Sequence, residues 1–383
     1  MASFPLVMSE RWAVSTLFLV NGFAIGSWAV HIPEFVERLA ISEGTLGLLI
    51  AVFGLGSLIA MPLAGATIAK IGDAPVTKLL SLIAATSLLW VGLAPNIWLS
   101  GAALFFFGAL IASMDVAMNA TAVEVEKSIR KPIMSSCHGF WSLGGLLSAF
   151  LGGFVIQAAG GWIQILVVTG LAIILVLISV PNIAGHAVRQ HEKGQPLRFP
   201  RSLLAYVFGI IALCSAMPEG AVIDWSTLYM RTELLADPIT ASTAFALFSG
   251  AMALVRFAGD PIRMKWGAVR TARVCAVTGA IGFLLAGFAS DPWLAIAGFA
   301  ITGFGLANLV PIAFSAAGNQ PDLPPGIGIS ITTTIGYSGL LVFPALLGYL
   351  AEFIGFSLLF IVLSLPMIAV FMMADKTVYA DMN

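Results

Sequence analysis

Residues Ile97 to Val125 open with IWLSGAALFFFGALIASM and continue with DVAMNATAV, and before Glu124 they carry a single formal charge, Asp115. A helix of that length rises about 1.5 Å per residue and crosses a hydrocarbon layer of about 30 Å. Asp115 then sits within roughly 8 Å of the middle of the crossing. A carboxylate at that depth costs several kcal/mol unless it faces protein or water. Asn119 follows four residues later on the same helical face. The pair marks a polar lining inside a bundle of membrane helices.

The whole chain agrees with that stretch. Of its 383 residues, 59% are hydrophobic and 10% charged, with a mean hydropathy of +1.00. Soluble domains carry about 25% charged residues, so this is an integral membrane protein. A net charge of −1 gives no reason to expect a nucleic-acid partner. Cys137, Cys214 and Cys275 all lie in apolar runs without CxxC spacing, so they read as packed thiols. The first apolar run, following Arg11, is too long for the core of a signal peptide and reads as the first span.

Twelve apolar segments can be laid out. Six are Trp12–Phe35, Glu43–Ala69, Val76–Ala94, Ile97–Val125, Ile133–Ala158 and Trp162–Val180. After a polar stretch come Leu203–Met230, Thr240–Ile262, Thr271–Phe288, Trp293–Ala317, Gly326–Phe353 and Phe356–Ala374. This implies an N-terminal six-helix bundle over residues 1–180, a linker over 181–201 and a C-terminal six-helix bundle over 202–383. Lys70, Lys78, Lys127, Arg189, Arg263, Lys265 and Lys376, among others, fall on one side of this layout; Arg38 and Arg231 fall on the other. The positive-inside rule places both termini and the linker in the cytoplasm.

The chain repeats itself. Ala69-Lys70-Ile71-Gly72 ends span two and Met264-Lys265-Trp266-Gly267 ends span eight; Trp28 answers Trp225, and Trp141-Ser142 answers Tyr337-Ser338. The offsets lie between 195 and 197 residues. Two parallel repeats about an axis along the membrane normal give such a pattern.

Twelve spans in two halves, with basic loops after spans two and eight, resemble the major facilitator superfamily. Its loop signature is present in reduced form: Gly65, Lys70 and Gly72 in the first copy, Lys265, Gly267 and Arg270 in the second, with Arg256 and Asp260 just before. Ala69 stands where the first copy's acid belongs. Arg256 and Asp260 read as a structural charge pair at the inner surface. Within the superfamily the chain is similar to the fucose-permease-like branch, including the rhizopine-associated membrane proteins. The stretches carrying this are His31-Ile32-Pro33-Glu34-Phe35, Met114 to Asn119, His138-Gly139-Phe140-Trp141-Ser142, Glu219-Gly220-Ala221 with Asp224-Trp225-Ser226, and Gly305-Leu306-Ala307-Asn308. In fucose-type permeases the acid of span four is implicated in proton-coupled sugar handling, and Asp115 occupies the matching place. Ala29 stands where those proteins have a second acid, and His138 where they have a glutamine.

Each of these residues has a plain reading beside the functional one. Asp115 either locks helices or carries protons; His138 either packs or titrates beside an acid. Glu219 and Asp224 follow Pro218, where a helix break is expected to free backbone groups. Trp28, Trp141, Trp225 and Tyr337 stack on a solute or merely pack. The expectation is therefore a proton-coupling set of Asp115, His138 and Glu219. Asn21, Trp28, His31, Asn119, Trp141, Asp224, Trp225, Asn308 and Tyr337 are expected to bind substrate. No catalytic or metal motif is present, so neither an enzyme nor a cofactor is expected. The implied protein is a monomeric, multi-pass transporter of a bacterial inner membrane, moving a small sugar- or cyclitol-like solute with protons. The alternatives are proton-driven efflux and a receptor that keeps the fold.

Overall fold

The computed structural model describes residues 9–129, 133–184, 203–321 and 325–381, and these residues form helices and connecting turns, with no strand among them. The first run is α1 (Glu10–Leu39), α2 (Glu43–Ile71), α3 (Asp73–Leu93), α4 (Ile97–Ile129), α5 (Met134–Ala159) and α6 (Gly161–Ser179). The second is α7 (Leu203–Thr232), α8 (Pro238–Trp266), α9 (Ala268–Gly287), α10 (Pro292–Leu306), α11 (Leu309–Asn319), α12 (Pro325–Val362) and α13 (Ser364–Met373). Eleven segments among the described residues are long and apolar enough to cross a membrane. The first limb of α12, residues 325–354, is the twelfth, because α12 is interrupted at Gly355. Most of the expected linker lies outside the described residues.

Two of the expected boundaries are different. Span ten is not continuous: it stops at Leu306 and restarts at Leu309. Pro311 has no N–H, and its ring would clash with the carbonyl of residue 307, which accounts for the break. The break expected at Pro218 is absent, and α7 runs through it. A membrane helix tolerates one proline where neighbours satisfy the freed carbonyl.

The internal repeat is written into the backbone. Helices α2 and α8 both have 29 residues and are displaced by 195 at each end (238 − 43 and 266 − 71). Both end on a glycine of nearly the same conformation, Gly72 at φ 91°, ψ 165° and Gly267 at φ 76°, ψ 160°. Gly160 (φ 84°, ψ 165°) and Gly355 (φ 75°, ψ 163°) form the same turn and are again 195 apart. A side chain is strained in that region, which fixes glycine at these four turns. The caps repeat too: Asn96 accepts from Leu99 N and Asp291 from Trp293 N and Leu294 N, at 2.9–3.1 Å.

Close crossings set the relative directions. Gly22 lies against the Trp141 carbonyl, Gly26 against Gly145 and Ser148, and Gly152 against Val30, so α1 and α5 run parallel. Gly139 lies against Phe257, Gly145 against Ser249 and Gly153 against Ser242, so α5 and α8 run antiparallel across the two runs. Both ends of the described chain therefore lie on one face. Glu10 there accepts from Ala184 N at 2.9 Å, and Asp381 from Ala268 N at 2.7 Å. On the opposite face the runs are tied together by Arg231–Glu34 at 3.3 Å and by Glu352 accepting from Gly44 N at 2.8 Å. Apolar side chains such as Leu63, Ile174 and Met372 stand on the outer surface, as lipid requires.

Candidate functional site

One continuous polar chain joins the runs near mid-depth. Asn21 of α1 donates to the Ile111 carbonyl of α4 at 3.0 Å and accepts from Trp141 Nε1 of α5 at 2.9 Å. The Arg256 guanidinium of α8 lies over the Trp141 ring, 5.9 Å from its centroid. Arg256 also donates to Ser142 Oγ of α5 at 2.7 Å and to Glu219 of α7 at 3.1 Å. Ser249 Oγ of α8 completes the seam by donating to the Ser142 carbonyl at 2.8 Å. The Arg256 and Glu219 side chains are only 12% and 15% exposed. Their bond is charge-assisted and shielded from water, and Trp141 supplies its π-face to the same cation. The Glu219 carboxylate is thereby compensated where an uncompensated one would cost several kcal/mol.

Arg256, expected at the inner surface, lies deeper and has partners on α5 and α7. Arg256 lies ten residues before the end of α8, about 15 Å inside it. It reaches across to Ser142 and sideways to Glu219. The Asp260 side chain is outside the described set. Depth was the signal available in the sequence, and it applies to Arg256 as it does to Asp115. Ser142 and Ser249 gave no such signal, since serines are common in membrane helices.

The other candidates fall into separate places. Asp115 lies one turn from the Ile111 carbonyl, and Asn119 Nδ2 donates to its backbone carbonyl at 2.9 Å. No hydrogen bond or ion pair joins Asp115 to His138; the His138 ring meets Phe18 edge-on at 5.2 Å. Trp28 is 3% exposed and packs edge-on against Phe35 and Phe107, so it is core and not lining. His31 is buried beside Gly161, and its Nδ1 has no hydrogen-bond partner. Asn308 sits at the α10–α11 break and lines a different hollow with Val255, Trp266 and Cys275. Asp224 and Trp225 line a hollow between α7 and the first limb of α12. The Tyr337 side chain is outside the described set. Of the loop residues, Gly72 and Gly267 make the paired turns, Lys70 and Lys265 are exposed beside them, and Gly65 faces open space.

Comparison with known proteins agrees with this architecture. The chain is 32% identical over 363 residues to an uncharacterized transporter of Sinorhizobium fredii, covering 92% of this chain and 94% of that one. It is 29% identical over 353 residues to the membrane protein MosC of Rhizobium meliloti, covering 91% and 86%. Among solved structures it is similar to the nucleoside transporter NupG, with a TM-score of 0.73 at 12% identity over 96% of this chain and 99% of that one. It is also similar to the fucose:proton symporter FucP of E. coli, with a TM-score of 0.68 at 15% identity over 96% and 98%. These two likenesses concern the fold alone. Residues 14–229 match the Major Facilitator Superfamily, and with twelve crossings in two repeats the chain belongs to that superfamily.

Proposed function

We propose that the chain is a secondary active transporter that carries a small, polar, hydroxyl-rich solute, sugar- or cyclitol-like, together with protons. The observation that supports this best is the mid-depth chain Asn21–Trp141–Arg256–Glu219, which spans both repeats. A hydroxylated solute meets an amide, an indole face, a guanidinium and a carboxylate there, donors and acceptors suited to hydroxyl groups. The two repeats rock against each other about this centre, and the Glu34–Arg231 and Gly44–Glu352 contacts close one face while solute is released at the other. Asp115 is the proton-linked acid in this reading. It sits at mid-depth, one turn from the polar chain, with no cation paired to it among the described residues. The membrane is a bacterial inner membrane and the face holding the termini is cytoplasmic, on the strength of the basic residues collected there.

Reconstituted protein should exchange labelled solute across liposomes, and an imposed acid-outside gradient should drive accumulation. Tight binding with neither exchange nor accumulation would favour a receptor instead. For orientation, a cysteine placed at Asn96 or Asp291, both exposed on the face opposite the termini, should react with an impermeant thiol reagent in intact cells. One placed at Lys265 should not, and labelling in the reverse sense would invert the topology.

A further inference from the structure

We propose that the hollow between α7 and the first limb of α12 seats an ammonium group, so that the solute is a hydroxylated compound carrying one amine. The proposal rests on the transport reading above and narrows its substrate class.

Asp224 lines this hollow with Trp225, Gly220, Gly336, Gly339 and Phe343, and the rest of the lining is apolar. Of the other acids at membrane depth, Glu219 is held by Arg256, and Asp115 is the acid assigned to protons above. Among the described residues Asp224 has no hydrogen bond and no ion pair. Trp225 is 0% exposed, and its Nε1 also lacks a partner. An anionic acceptor without a described partner thus lines a hollow that is otherwise apolar.

Charge decides which ligand fits. A neutral hydroxyl can hydrogen-bond the carboxylate but leaves its charge uncompensated at low dielectric, which is the larger cost. A monocation removes that cost. The Trp225 and Phe343 rings add attraction for a cation that they do not offer a hydroxyl. Space exists as well, since a Cβ built on Gly220 meets nothing within 4 Å. Glu219, five residues earlier and turned to α8, cannot serve, because Arg256 occupies it.

The test uses matched pairs on the purified full-length protein: glucosamine against glucose, galactosamine against galactose, with ethylammonium as a minimal probe. Binding is read by equilibrium dialysis and by thermal shift. Each amine should bind at least about tenfold tighter than its neutral partner. Asp224→Asn should bring that ratio close to one, while Asp224→Glu keeps part of it. Should Asp224→Asn fail to fold, Gly220→Leu fills the hollow with the charge left in place and should abolish the preference. Amines binding no tighter than neutral partners overturn the proposal. So does a ratio that survives both variants, or a change of affinity with pH that is equal for both members and marks Asp224 as a proton site only. Liposome exchange separates the two readings. Neutral sugars exchanged with no amine preference sink this proposal alone. An Asp224-dependent amine preference without any exchange sinks the transport reading.

Discussion

Arg256→Ala is expected to reduce solute exchange in proteoliposomes by two orders of magnitude or more and to lower the thermal stability of the solubilised protein. The substitution removes the cation from Glu219, the donor from Ser142 and the charge from the Trp141 face in one step. Breaking a buried pair by deleting one partner costs about 3–5 kcal/mol, because the survivor is left charged and alone. If that whole penalty falls on the working state, it corresponds to a factor of roughly a hundred to several thousand. The companion variant separates structure from function. Arg256→Gln with Glu219→Gln removes both charges, so stability should return to near the parent while exchange stays low. Near-normal exchange by Arg256→Ala would remove the polar chain from the mechanism. Recovery of exchange in the double variant would reduce Arg256 to a structural strut.

The second large effect belongs to Asp115. Asp115→Asn should abolish accumulation driven by a proton gradient and spare exchange between solute pools of equal concentration, since exchange needs no net proton movement. His138 occupies a different environment, edge-on to Phe18 and on the helix that faces Arg256. His138→Gln should therefore shift the pH profile modestly, and its effect should add to that of Asp115→Asn instead of merging with it. Accumulation by Asp115→Asn at the parent rate ends the case for a proton-linked carboxylate on α4. Strong non-additivity would mean that the two side chains communicate through a route that their separation does not suggest.

The crossings were legible because a membrane demands long apolar runs, and the repeat was legible because the turns need glycine. Gly72 and Gly267 follow matching Lys-containing tetrapeptides, and the same backbone conformation recurs at both. Facing was not legible. In water a helix shows its buried side by amphipathic periodicity; in lipid both sides are apolar, and that signal vanishes. Trp28 could thus be read as lining although it is core, and the reach of Arg256 to α5 and α7 could not be read from its neighbours in sequence. Pro218 and Pro311 show the same limit. One is absorbed within α7 and the other follows a break, and local sequence does not say which neighbours can satisfy a freed carbonyl.

The two seams between the repeats are unequal. On α8 the seam carries Ser242, Ser249 and Arg256, and Ser249 and Arg256 reach across to bond Ser142 of α5. Displaced back by 195, the same positions on α2 hold Gly47, Gly54 and Met61, which have no side chain or no strong donor to offer. A seam bonded at mid-depth resists sliding, whereas the α2 seam facing α12, tied at its end by Glu352 to Gly44 N, offers no such bond from Gly47, Gly54 or Met61 and permits it once that end contact opens, so the chain is built with its axle on one side and its bearing surface on the other. Interspin distances between labels on α2 and on the first limb of α12 should then broaden and shift as solute is added, while those between α5 and α8 stay narrow. Equal changes at both seams would mean that the hydroxyls and the guanidinium hold substrate without holding the hinge.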